Sequence, residues 1–142
     1  MRIRTAASED FNRICELLQQ LWPDKKIDRG ALKVVMNRVL SSSNDIYLCA
    51  ETEQGLMGFC SLAVKNSLWQ ESRIGTISEM VVDDAYRKRG VGTALLGTII
   101  EMARQRGCRL IELDSAFHRD AAHRFYEKAG FVKRAYLFSK EL

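Results

Sequence analysis

The run Arg87-Lys88-Arg89-Gly90-Val91-Gly92-Thr93 constrains this chain more than any other segment. Ahead of it, residues 75–82 are rich in Ile and Val and read as a strand. Behind it, Val91 to Arg106 sets Leu95, Ile99, Met102 and Ala103 along one side of a helix, with Gly107 as its C-terminal stop. Residues 110–114 then read as a short apolar strand. Strand, helix and strand in that order make a right-handed crossover, so the two strands are expected to lie parallel. The turn before the helix holds three consecutive cations and two glycines. A helix start has free N–H groups and a partial positive charge, and glycine opens the backbone to a ligand. Such a turn suits a pyrophosphate.

The spacing excludes several phosphate ligands. A dinucleotide fingerprint needs a third glycine where Leu95 stands, and the P-loop pattern is absent. The net charge of +4 is modest and partly local to residues 87–89. A tight cluster points to a polyanionic small molecule rather than to nucleic acid or a membrane surface. No interleaved aromatics offer a base-stacking platform. A nucleic-acid-binding module therefore ranks below a small-molecule site.

With 142 residues, 46% apolar and 28% charged, residues 1–142 are expected to form one soluble globular unit. A chain of this size buries roughly 68–70% of its unfolded surface. No apolar run is long enough to span a bilayer, and no secretory core follows Met1-Arg2-Ile3-Arg4. Cys15, Cys49, Cys60 and Cys108 lie far apart, and the two histidines add no ligand spacing. All four thiols read as buried hydrophobes in a reducing compartment, which implies a cytoplasmic protein without a metal site.

The remaining elements follow from pattern. Residues 2–6 form a strand, and Ser8 caps a helix whose stripe runs through Phe11, Ile14, Cys15, Leu18, Leu21 and Trp22 until Pro23 stops it. A second helix covers 28–41. Strands at 46–52 and 56–65 form a hairpin through Glu53-Gln54-Gly55, and 66–72 is a loop carrying Trp69. A helix over 119–129 ends at Gly130, and Phe131–Glu141 closes the chain as one bent strand or two short ones. The expected fold is α/β: a mixed, mostly antiparallel central sheet, helices on both faces, and one parallel βαβ unit.

Two segments carry a family resemblance. Arg87-x-x-Gly90-x-Gly92 is similar to the [QR]-x-x-G-x-[GA] motif of the GNAT superfamily of N-acetyltransferases, with Glu79-Met80-Val81-Val82-Asp83 upstream. Downstream, Ala122-x-x-Phe125-Tyr126-Glu127-Lys128-Ala129-Gly130-Phe131 resembles that family's A-x-x-[FL]-Y-x-[KR]-x-G-F segment. The two stand in the family's order, one strand apart, and with the matching element order the resemblance covers essentially the whole chain.

The resemblance implies acetyl-coenzyme A as co-substrate. Its pyrophosphate would rest on the turn formed by Arg87, Lys88, Arg89, Gly90, Val91, Gly92 and Thr93. Its pantetheine arm would lie against the main chain of Met80, Val81 and Val82, as a peptide-like arm completes a strand edge. One position departs from the family: Arg119 stands where many relatives have Asn. A cation there still suits the co-substrate, while an Asn-type contact is lost. Family members are often dimers, so the resemblance allows a homodimer sharing the C-terminal strand.

Acetyl transfer requires that an ammonium lose a proton, that a thiolate gain one, and that a developing oxyanion meet a donor. Glu79 is the candidate base, because a carboxylate inside an apolar strand is costly unless used or paired. A sheet-edge or ion-paired glutamate is the competing reading. Tyr126 is the candidate acid, a phenol protonated at neutral pH, with a core aromatic as its alternative. The backbone N–H of Val81 or Val82 is the candidate oxyanion donor. His118 and His123 read as surface groups.

The acceptor is expected to be a small-molecule amine. Trp22, Asp24, Asp114 and Ser115 join Glu79 as candidate contacts, with Asp28, Glu71 and Trp69 as further ones. Leu21-Trp22-Pro23-Asp24 resembles a segment of aminoglycoside 6′-N-acetyltransferases, whereas Lys25 and Lys26 would repel a polycation. A polyamine, a small metabolite amine and a peptide N-terminus remain open. An acyl-coenzyme A binder without catalysis is the alternative from another class.

Overall fold

A computed structural model describes residues 1–142. Its elements are β1 (Arg2–Thr5), α1 (Phe11–Leu21), α2 (Arg29–Leu40), β2 (Asp45–Thr52), β3 (Gly55–Ser67), β4 (Ser72–Val82), α3 (Val91–Gln105), β5 (Cys108–Leu113) and α4 (Asp120–Lys128). The strands form one sheet in the order β1-β2-β3-β4-β5. The first three pairings are antiparallel and β4–β5 is parallel, as the crossover through α3 requires. This is the expected α/β architecture.

Alternation along the strands divides the core in two. On one face Ile46, Leu48, Cys60, Leu62 and Ile77 meet Val91, Leu95, Leu96, Ile99 and Ala103 of α3. On the other, Cys49, Phe59 and Val81 meet Ile14, Leu17 and Leu18 of α1 and Met36 of α2. Gly58 sets how closely α3 approaches. A Cβ there would stand 2.9 Å from Leu95 Cδ1 and 3.1 Å from the Val81 carbonyl oxygen.

Three expectations change. Ser8 does not cap α1: Ser8–Asp10 is a short 3-10 turn, and the Asp10 carboxylate accepts the Ala7 N–H at 2.8 Å. Asp10 also takes both guanidinium nitrogens of Arg4, at 2.7 and 2.9 Å. Asp10 itself stands at the N-cap of α1, but its carboxylate turns back to Arg4 and the Ala7 amide, so no side chain caps the helix. Cys108 is half-buried while the other three thiols are buried, because β5 is an edge strand.

No strand follows α4. Phe131 packs on Tyr126, Lys133 pairs with Glu127 and Arg134 with Glu112, and then Tyr136, Leu137 and Phe138 stand in solvent. Alternation reports which face a strand would bury. It does not supply the neighbouring ladder, and this segment has none within the chain.

Candidate active site

The site begins where two strands part. β4 and β5 pair from Arg73 opposite Cys108 to Ile77 opposite Leu113. β5 ends there, while β4 continues to Val82. From Glu79 onward β4 has a partner only in β3. The Asp83 N–H bonds to the Met57 carbonyl of β3 at 2.8 Å. Since backbone groups alternate in direction, Val81 also turns towards β3, and the polar groups of Met80 and Val82 turn into the open slot. Of the two candidate oxyanion donors, Val82 thus faces the slot and Val81 faces Phe59.

Beyond β4 the chain is pinned. Asp83 is buried and accepts from Ala85 N–H at 2.8 Å, from Arg13 of α1, and from Gln20 Nε2 at 3.3 Å. These donors hold its carboxyl below the usual range, the Ala85 amide contributing most. Gln20 Oε1 takes the Asp84 N–H at 3.0 Å. The turn that follows needs left-handed backbone, with φ +60° at Lys88 and +82° at Gly90. Gly90 is the N-cap of α3 and supplies no side-chain cap. The amides of Val91, Gly92 and Thr93 therefore lack intrahelical partners.

The three cations of the turn differ in their engagement. Arg87 folds back, pairing with Asp84 at 2.8 Å and donating from Nε to the Val82 carbonyl at 3.2 Å. Arg89 lies over the Tyr86 ring at 5.7 Å. Lys88 is exposed. Backbone at Gly92 faces the rings of α4: a Cβ there would meet Phe125 at 3.5 Å and Val82 Cγ2 at 3.6 Å.

Glu79 and Tyr126 approach the slot from opposite faces of the sheet. Glu79 shares the α1 face with Val81. Burial raises its carboxyl above the usual range, Ser61 opposes this by hydrogen bonding, and Asp114 adds to the rise. Tyr126 packs on the α3-side core, edge-on to Phe125 at 5.2 Å and Phe131 at 5.7 Å. Burial pushes its phenol up to about 12, with the Cys60 thiol adding and Arg119 opposing. A half-buried carboxyl and a protonated phenol on either side of a backbone slot can take up one proton and deliver another.

The last turn of α1 straddles the slot. Gln20 reaches the end of β4, while the Leu21 carbonyl accepts from Arg119 at 2.9 Å beyond β5. Arg119 thus braces α1 against the start of α4. Trp22 packs its ring on the α1–α2 core, and Asp24 is exposed in the turn after it. Asp114 is exposed at the end of β5, and the neighbouring Ser115 Oγ is buried without a hydrogen-bond partner. His123 bonds to the Ala116 carbonyl at 2.9 Å, and His118 is exposed. The expected 66–72 loop shortens to residues 68–71, which join β3 to β4 at the far end of the sheet, roughly 23 Å along β4 from Glu79 by strand rise. Within one chain, Trp69 and Glu71 therefore lie away from the acceptor side of the slot.

Two groups in the site were not singled out from sequence. Ser61 and Tyr47 stand in register with Glu79 across three strands, Tyr47 opposite Ser61 and Ser61 opposite Glu79. Alternation alone marks them as ordinary strand residues, and only the pairing register puts them beside a carboxyl.

With this geometry in hand, residues 8–131 match the acetyltransferase (GNAT) family. The chain belongs to that family. It is 33% identical to an aminoalkylphosphonate N-acetyltransferase of Salmonella typhimurium, covering 99% of this chain and 90% of that one. It is 34% identical to a glucosamine 6-phosphate N-acetyltransferase of Trypanosoma brucei brucei, covering 92% and 88%. An aminoglycoside 6′-N-acetyltransferase structure from Acinetobacter haemolyticus superposes with a TM-score of 0.82 at 20% identity, over 100% and 99% of the chains. That last likeness is one of fold. The unpaired β4 edge and the uncapped α3 start have the donors and acceptors to meet a peptide-like arm and a pyrophosphate.

Proposed function

We propose that this acetyltransferase moves an acetyl group from acetyl-coenzyme A directly to a primary amine, both bound together in one ternary complex. The observation that carries the reading is the open edge of β4 between Glu79 and Val82, flanked by an uncapped helix start. In this reading the amides of residues 88–93 and the cations Arg87, Lys88 and Arg89 hold the pyrophosphate. Met80 and Val82 pair with the pantetheine arm, and Arg119 adds positive charge near its sulfur end. Acetyl-coenzyme A supplies the activated acyl carbon.

Glu79, directly or through a water, takes the ammonium proton and frees the nitrogen lone pair. The C–N bond forms as the C–S bond breaks. Val82 N–H faces the oxygen on which charge develops, and Tyr126 gives its proton to the departing sulfur. The new amide nitrogen sheds its second proton, which restores the Tyr126 phenol through solvent, and Glu79 passes the ammonium proton to water, so one proton is released per turnover.

The acceptor in this proposal is a small amine bearing a phosphate or phosphonate. Two relatives above 30% identity are named for such amines. Lys25 and Lys26 stand exposed on the loop that α1 holds at the slot, where they suit an anionic end, with Asp24, Asp114, Ser115 and Trp22 around the amine end. An amine panel with acetyl-coenzyme A, read by thiol release, tests this. Phosph(on)ate amines are expected to lead. Preferred turnover of aminoglycosides, or binding without turnover of any amine, would overturn the acceptor or the enzyme reading respectively.

A homodimer and a cytoplasmic setting belong to the same proposal. β5 leaves its outer edge open, and the exposed Tyr136, Leu137 and Phe138 lie on a tail that starts beside it, so a second copy is the occupant we infer. The unpaired thiols Cys15, Cys49 and Cys60 suit a reducing compartment. No helix is long and apolar enough to cross a membrane. Sedimentation of the full chain should give a dimer mass, and a monomer at tens of micromolar, by order-of-magnitude mass action, would remove the association.

A further inference from the structure

The register between β3 and β4 slips once. Ser61 lies opposite Glu79 and Leu62 opposite Ile77, so Ser78 is an extra residue on β4. A slip of this kind disrupts the ladder locally. Here a side chain repairs it: the Glu79 N–H donates to Ser61 Oγ at 2.9 Å. Ser61 is 3% exposed, and the only other buried polar residues, Asp10 and Asp83, are both held by arginines. A hydroxyl that accepts an amide proton still has its own proton to place. Ser61 and Glu79 stand directly opposite each other on one face of the sheet, which makes the Glu79 carboxyl the neighbouring acceptor for that proton.

We propose that Ser61 is the positioning residue for Glu79, fixing its backbone at the slip with a lone pair and its carboxylate at the slot with the hydroxyl proton. The inference rests on Glu79 being the base. The groups that face Glu79 make Ser61 decisive. From β2, on the same face, comes the Tyr47 phenol, and behind the sheet lies the Cys60 thiol, each pushed up to about 12 and so neutral at working pH. After β5 comes Asp114, a like charge. No cation from α1 or α2 enters the balance at Glu79. Ser61 alone among these neighbours favours the ionised carboxylate.

The test uses the full chain with Ser61→Ala, and Ser61→Cys as a near-isosteric second variant whose thiol is a weak donor. Two readouts are needed: the carbon-13 titration of the Glu79 carboxyl in the resting protein, assigned with Glu79→Gln, and the pH profile of kcat/KM. Removing a donor to the ionised form raises the pKa. Both variants should therefore move the titration and the acid limb upward by about one unit, with acetyl-coenzyme A affinity unchanged. Ser61→Thr, which keeps the hydroxyl, should restore both. An unmoved titration, or a lowered Tm with the wild-type pH profile, overturns the proposal and leaves Ser61 as packing. If Glu79→Gln keeps full activity, the base assignment falls separately, and the resting titration still decides whether Ser61 holds the carboxyl.

Discussion

The two halves of β4 make a contrast within eleven residues. From Arg73 to Ile77 the strand is paired on both sides and seals the core with Ile74, Gly75 and Ile77. From Glu79 to Val82 it is paired on one side only, because β5 has already ended. The first half has a strand ladder on both sides and stabilises the fold. The second half has no strand on its outer side, where the Val82 carbonyl meets only the Arg87 side chain, and burial raises its Glu79 carboxyl above the usual range. The proposed binding site is thus a stretch of sheet that the chain leaves unpaired, its cost in stability offset by the completed half beside it.

That contrast can be broken at four points. Gly92→Trp places a bulky ring against Phe125 and Val82 at the helix start. It should weaken acetyl-coenzyme A binding by about a hundredfold or more, the scale of losing charge-assisted contacts. Calorimetric titration measures this, and an unchanged Kd would separate the turn from the co-substrate. Glu79→Gln should lower kcat/KM by about 10²–10⁴, the usual worth of a general base. The same variant should be more stable than wild type at pH 7. A carboxyl whose folded pKa is raised binds its proton more tightly in the folded state, so stability falls as pH climbs through the unfolded value towards the folded one. Thermal melts at pH 4 and pH 7 would show the gap between variant and wild type widening with pH; a gap that closes would contradict the assignment.

Smaller effects sharpen the picture. Tyr126→Phe should slow kcat by about ten- to a hundredfold with little change in Kd for acetyl-coenzyme A, a modest acid contribution; full activity in stopped-time assays would return Tyr126 to the core. In the completed half, Ile77→Ala should cost about 2–5 kcal/mol of stability while leaving Kd for acetyl-coenzyme A near wild type. Urea unfolding with binding measured in parallel would decide it, and a variant that lost binding without losing stability would erase the distinction between the halves.

Much of this was legible from the chain alone. The βαβ unit, the α1 stop before Pro23, and the glycine stops at 107 and 130 follow from short-range chemistry: apolar period, the missing proline N–H, and left-handed backbone with φ of +81° and +96° at those glycines. The basic glycine turn was visible for the same reason. Less legible were contacts between distant segments. Ser8 enters a 3-10 turn instead of capping α1, and the Asp10 carboxylate at the helix start is turned away by Arg4 from β1. Residues 131–141 alternate like a strand yet join no strand ladder in the chain.

By itself, then, the sequence determined the order of elements, the parallel crossover and the residue types at the helix start, since each depends on neighbours within a turn or two. Tertiary structure alone decided that β5 stops short of β4, that Arg119 braces α1 across the slot instead of standing free, and that Ser61 and Tyr47 line up beside Glu79. Strand register and strand ending are agreements between segments far apart along the chain. No local pattern encodes them, because the free energy that selects them exists only once both partners have met.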